Sequence, residues 1–219
     1  MKLIKKLLML STKIYDEPGI GKVFKNDIDY CEIIKEGFTL IVAFRGTENK
    51  KGWKSNFNFL DKNNNGIMDG FEDSFNALSN QILSYISDIS EEVNEIICTG
   101  HSRGGVFAIQ CINTLYKCRT FYNIPLDMRY SCITFGTPRR ADKTQRNLFN
   151  RTSIWCTRVE TPGDPVCDVP LRVQGYRKEG NILTLKTPWY WKLSALPILR
   201  IWQHHTKAYA RAIEYTERN

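Results

Sequence analysis

Histidine is scarce in this sequence, with three in 219 residues, so any imidazole chemistry must come from His101, His204 or His205. The seven cysteines (31, 98, 111, 118, 132, 156 and 167) include no C-x-x-C pair, which removes the common zinc and thiol-redox spacings, and no metal or cofactor is expected. Their count is odd, and Cys98, Cys111 and Cys132 lie inside apolar segments. The simplest reading is buried, reduced thiols in an intracellular protein. Lysine and arginine give a net charge of +8 but never gather into a run of five or six. With no zinc-finger spacing either, nucleic acid is not an expected partner. The positive balance favours anionic surfaces, such as a phospholipid membrane touched peripherally. No stretch reaches the roughly 18 apolar residues that span a bilayer. The opening MKLIKKLLML has an apolar core of only about four residues after Lys6 and no small-residue cleavage site behind it, unlike a signal peptide. It reads as an amphipathic helix, and the expected location is cytoplasmic. Without internal repeats, low-complexity tracts or a linker, residues 1–219 are expected to form a single domain.

What is present alternates between strand-like and helical patterns. A basic helix over about 2–14, ended by Pro18 and Gly19, precedes two strands at Ile28–Ile34 and Phe38–Phe44. Their short connection through Gly37 argues a hairpin, and FTLIVAF, apolar almost throughout, suits a central strand. Phe71, Phe75, Leu78, Ile82, Tyr85 and Ile89 recur at helical spacing. Further strands are expected at Val93–Thr99, Ser131–Phe135, Ser153–Val159 and Ile182–Lys186, with helices following residue 102, near 141–150 and at 205–217. This alternation predicts an α/β fold with a mainly parallel central sheet flanked by helices.

The chemistry centres on Gly100-His101-Ser102-Arg103-Gly104, a G-x-S-x-G between the strand VNEIICT and a helix marked by Val106, Ile109, Ile112 and Leu115. In that context the pentapeptide forms a sharp, strained turn that presents the serine hydroxyl at the top of a sheet. Small residues two before and two after the serine avoid clashes in so tight a turn. A serine hydroxyl is a poor nucleophile until a base removes its proton, usually a histidine oriented by a carboxylate. His101 sits beside the serine, where backbone geometry points its side chain elsewhere, so the base is His204 or His205. The candidate acids in the order nucleophile, acid, base are Asp127, Asp142, Asp164 and Asp168. Asp164 follows the end of a strand, where sites in α/β sheets gather, whereas Asp168 reads as a surface or turn residue.

With these residues assembled, the chain resembles the class 3 lipases, the fungal-type triacylglycerol lipase family and its plant phospholipase relatives. The resemblance runs from about residue 38 to 209 through IVAFRGT, Trp53, IMDGF at Ile67–Phe71, TGHSRGG, ITFGTPR and GDPVCDVP. It implies an α/β-hydrolase fold and a Ser102, Asp164, His205 triad. Thr47 and the Arg103 N–H would form the oxyanion hole, and lipid or phospholipid esters would be the substrates. Met68 stands where the family usually has histidine, and Arg103 where leucine is common; only the main-chain N–H of Arg103 is needed. The family often has tyrosine three residues after the base. Here Tyr209 is four after His205 and five after His204, which leaves the choice open, with His205 preferred. A short-chain esterase or thioesterase would use the same machinery, and a non-enzymatic binding protein could retain the scaffold.

Three further stretches draw attention. Residues 47–57 match the family's lid position but hold Lys50, Lys51 and Lys54 around Trp53, a face poorly suited to neutral fat. WYWKLSALPILRIW at Trp189–Trp202 is either an apolar contact surface or core under the last helix. Asp61, Asn63, Asn65, Gly66 and Glu72 satisfy the spacing of a calcium loop, but no convincing helix enters it.

Overall fold

A computed structural model describes residues 1–13, 20–25, 30–46, 66, 69–193 and 202–219. Its frame is a seven-stranded sheet whose spatial order follows the chain: β1 (Lys22–Lys25), β2 (Tyr30–Glu36), β3 (Thr39–Phe44), β4 (Glu95–His101), β5 (Arg129–Phe135), β6 (Trp155–Glu160) and β7 (Asn181–Thr184). The first three strands are antiparallel neighbours, and β3 to β7 run parallel. This is the mainly parallel, helix-flanked α/β sheet that the alternation implied.

Helices cover both faces, which is why β3 and β4 carry consecutive apolar residues, Leu40–Phe44 and Ile96–Cys98, rather than alternating with polar ones. On one face Leu40, Val42 and Phe44 of β3, Ile96 and Cys98 of β4 and Cys132 of β5 pack with α2 (Asp69–Ile89) and α3 (Arg103–Lys117). On the other, Ile41, Ala43, Ile97, Ile133 and Phe135 meet Leu7, Leu8 and Leu10 of α1 (Lys2–Lys13) and Ala208, Tyr209, Ala212 and Ile213 of α5 (Thr206–Arg218). Odd and even positions thus go to opposite layers, as the two-residue period of a strand requires. The short helix α4 (Lys143–Phe149) starts where Asp142 accepts a hydrogen bond from the Gln145 N–H at 2.9 Å.

Among the differences from the sequence reading, two bear on the frame of the sheet. Strand β1 is additional: it is four residues long at the sheet edge, only Phe24 of it is buried, and its lysines hide any strand pattern. Strand β4 also starts two residues later and runs two further, because Asn94 turns the chain by bonding Phe38 while Gly100 and His101 stay in register with Thr134 and Phe135. The expected hairpin is present, with Gly37 at φ +56° in its turn. The lid segment 47–57, the catalytic-site candidate Thr47 and the calcium-loop ligands Asp61, Asn63 and Asn65 lie outside the described residues. So do 194–201, and Glu72 is described only as part of the backbone of α2. Among the described residues no helix is long and apolar enough to cross a membrane, and no cluster of His, Cys, Asp and Glu has a metal-binding arrangement.

Candidate active site

Strand β4 enters the site at its carboxyl end, and the chain reverses at Ser102 to begin α3. Ser102 has φ 58° and ψ −126°, a conformation that costs a non-glycine residue on the order of 1–3 kcal/mol. The surroundings hold it there: the Ser102 N–H donates to Phe135 O at 2.8 Å, and the Gly105 N–H to Ser102 O at 3.0 Å. A Cβ on Gly100 would overlap the main chain of Gly104, and one on Gly104 would overlap the Phe44 carbonyl at the end of β3. The two glycines are therefore steric requirements of the turn, as the pentapeptide implied. Arg103 opens α3, with its guanidinium 4.8 Å from the Phe107 ring centroid, leaving its main chain at the helix start.

A buried carboxylate arrives from β6. Asp164 lies four residues beyond that strand and is buried, with Oδ1 accepting from the Val166 N–H at 2.9 Å. Its Oδ2 faces His204 Nδ1 at 3.0 Å and accepts from the Tyr209 hydroxyl at 2.7 Å. Burial alone pushes this carboxyl up. The His204 charge, with hydrogen bonds from His204, Tyr209 and Val166, outweighs burial and holds it below its ordinary value. Asp164 is thus an anion that fixes His204 with the proton on Nδ1, the tautomer in which Nε2 carries the lone pair. Asp168 is exposed and ion-paired with Arg139 at 2.6 Å and Lys178 at 3.3 Å, the surface role expected of it.

His205 requires a correction. It is exposed, and its Nδ1 accepts the Lys207 N–H at 3.2 Å, capping the start of α5. The buried histidine against Asp164 is His204. Helix α5 begins at Thr206, so one residue decides which imidazole turns inward and which becomes a cap, and tyrosine spacing could not resolve that step. Tyr209, in the first turn of the helix, reaches the same Asp164 oxygen from its own side.

Two further residues escaped the sequence reading. The His101 ring turns toward the His204 segment. It packs on His204 with centroids 4.6 Å apart, and its Nε2 lies 2.7 Å from the His204 carbonyl oxygen. Gly136, just after β5, has φ +56°, and a Cβ there would sit 2.9 Å from His204 Nδ1 and 3.0 Å from Asp164 Oδ2. The glycine in ITFGTPR is thus the floor on which the Asp164–His204 pair rests. The motif was visible in the sequence, but its steric purpose appears only with the pair in place.

The strained Ser102 turn after β4, the buried Asp164 after β6 and the buried His204 before the last helix lie toward one end of a parallel sheet. Residues 41–174 match the sequence profile of the lipase (class 3) family, more than half of the chain. The chain belongs to the class 3 lipase family. It is 28% identical to a secreted mono- and diacylglycerol lipase of Fusarium solani, over 84% of this chain and 51% of that one. It is also 25% identical to a lipase of Rhizomucor miehei over 65% and 40% respectively, so the chain spans about half the length of the curated relatives it matches. The fold agrees: the Rhizomucor miehei lipase–propeptide complex superposes with a TM-score of 0.76 at 20% identity, covering 85% of this chain and 68% of that one. A lipase from Rhizopus microsporus var. chinensis gives 0.71 at 22%, with 85% and 76% covered.

The comparison with a secreted relative overturns the expected cytoplasmic location. The thiol argument behind that expectation fails for a physical reason. The cysteines are free, and all but Cys118 are buried. Burial pushes the thiols of Cys31, Cys98, Cys132 and Cys167 well above their ordinary value. Thiols so protected are poor nucleophiles in any compartment.

Proposed function

We propose that this class 3 lipase-family chain is a serine carboxylic ester hydrolase acting on lipid esters, with Ser102 as nucleophile, His204 as base and Asp164 as orienting acid. The observation that carries the reading is the buried Asp164–His204 pair at 3.0 Å, packed on the residue that precedes the strained serine. One structural neighbour is described as a triacylglycerol lipase whose catalytic centre is a serine protease triad, which supports the same assignment. In the reaction, Ser102 Oγ attacks the ester carbonyl as His204 Nε2 takes its proton, and Asp164 stabilises the imidazolium. The tetrahedral intermediate collapses with loss of the alcohol, which receives that proton, and an acyl-enzyme remains. Water, deprotonated by His204, releases the fatty acid and restores Ser102. The Arg103 N–H, together with the hydroxyl and N–H of Thr47, supplies the oxyanion donors; losing one such donor costs on the order of a hundred- to a thousandfold in turnover.

The secreted relative supports action outside the cell, with residues 1–219 working as one catalytic domain. Contact with lipid would fall to the exposed aromatics beside α5, where Trp189 is 72% and Tyr190 58% exposed and Arg211 lies over Trp202, a combination suited to an anionic interface. The test is uptake of a fluorophosphonate by the folded protein, followed by analysis of fatty acids released from mono-, di- and triacylglycerols and phospholipids. Labelling at Ser102 and release of long-chain acids, both lost in Ser102→Ala, are expected. Labelling with turnover confined to esters of four carbons or fewer would mark a short-chain esterase. No labelling would mark a binding protein on this scaffold.

A further inference from the structure

His101 is a buried polar side chain that the reaction does not use. It ends β4, immediately before Ser102, and its Nε2 stands 2.7 Å from the main-chain carbonyl of His204. A carbonyl oxygen only accepts, so Nε2 must be the protonated nitrogen and must donate. The ring also lies over the His204 imidazole, 4.6 Å between centroids at 31°, and its other neighbour is the edge of Tyr209 at 5.9 Å. Burial, and then the nearby His204 charge, lowers its proton affinity to about 3, so the ring stays neutral across the working range of an esterase.

The segment that carries the base is also held at the residue before it. The Thr161 hydroxyl donates to Gln203 O at 3.2 Å, and Gln203 Nε2 donates to Trp191 O at 2.9 Å. Thr161 belongs to the chain that leads from β6 to the acid. The base segment is thus tied to the acid's chain through residue 203 and to the nucleophile's strand through residue 204. We infer that His101 is a positioning residue, whose donated hydrogen bond and stacked ring hold the His204 main chain and imidazole in register with the adjacent nucleophile. This rests on the Ser102–His204–Asp164 reading above.

The consequence is specific. A base displaced by about 1 Å loses on the order of a hundredfold in rate, whereas substrate binding elsewhere is untouched. His101→Phe keeps a ring but removes the donor, and His101→Gln keeps an N–H at comparable reach. With a soluble nitrophenyl ester, His101→Phe is expected to lose about ten- to a hundredfold in kcat. KM should stay unchanged, and fluorophosphonate labelling should slow in parallel. His101→Gln should recover most of that loss. Wild-type kcat in the Phe variant, or equal losses in Phe and Gln, would overturn the proposal. Should the Phe variant fail to fold, histidine-labelled wild-type protein decides the matter by nitrogen NMR. A neutral imidazole holding an exchange-protected Nε2–H between pH 5 and 8 is expected, and its absence overturns the inference. If Ser102→Ala and His204→Ala remain active, the triad reading itself fails. If they are inactive while His101→Phe equals wild type, only the positioning role fails.

Discussion

Tyr209 and His204 converge on one carboxylate oxygen of Asp164, at 2.7 and 3.0 Å. The phenol donates a hydrogen bond to the anion, and its own proton is held tightly, since burial and the neighbouring Cys167 and Asp164 push its ionisation well above the ordinary value. Tyr209→Phe removes that donor without changing the packing of the ring. A net hydrogen bond to a charged group contributes about 1.5–3 kcal/mol, so kcat should fall about ten- to a hundredfold. With one fewer donor the Asp164 carboxyl rises toward its ordinary value, and activity should be lost at a higher pH on the acid side. A pH–rate profile that overlays the wild type would remove Tyr209 from the account. His205 makes a different demand at this scale. Its imidazole caps α5, so His205→Ala should lower stability by about 0.5–2 kcal/mol with turnover little changed, as read by denaturant midpoint and kcat together.

Among the elements, the elbow between β4 and α3 and the turn after β5 are set by missing side chains. Gly136→Ala would force a methyl against His204 Nδ1 and Asp164 Oδ2, besides requiring alanine at φ +56°. It should depress kcat at least tenfold by misplacing the base, with a smaller effect on KM. Gly104→Ala, which meets the end of β3, should lower the melting temperature through overpacking that costs about 1–3 kcal/mol. These sites also mark what the sequence could reveal. The central strands were legible because β3 and β4 are buried on both faces and therefore carry unbroken apolar runs, Leu40–Phe44 and Ile96–Cys98. The elbow was legible because its glycines are obligatory. Edge strand β1 was not, since an edge with one buried phenylalanine leaves no pattern. The choice between His204 and His205 was not legible either. Both precede the same helix, and only the three-dimensional start of that helix turns one inward and makes the other its cap. His101 was set aside for a related reason: local geometry beside a nucleophile says nothing of a segment a hundred residues away.

At the scale of the whole molecule, buried charge ties the fold to pH and to its internal ion pairs. Folded His101 binds a proton only near pH 3, whereas the unfolded chain does so below about 6.5. Between those values the unfolded state holds more protons, so unfolding free energy falls as the pH falls, by up to about 1.4 kcal/mol per unit. The Asp164 contribution is complete above its ordinary value of 3.8 and is lost as the pH drops through its lower folded value. Urea midpoints measured from pH 7 to 4 should therefore drop less steeply in His101→Gln than in wild type, and parallel curves would contradict this. Away from the site, Arg140 and Glu179 form a fully buried pair at 2.8 Å. Glu179→Ala leaves that guanidinium uncompensated and should cost about 3–5 kcal/mol, seen as a lowered melting temperature. The central claim is that residues 102, 164 and 204, far apart in the chain, work as one unit, and a comparison of kcat in Ser102→Ala, His204→Ala, the double variant and His205→Ala tests it most directly. Groups acting as a unit lose their effect together. The expected result is that each single catalytic variant falls about as far as the double, while His205→Ala stays within a few-fold of wild type. Additive losses, or a collapse in His205→Ala matching that of His204→Ala, would contradict it.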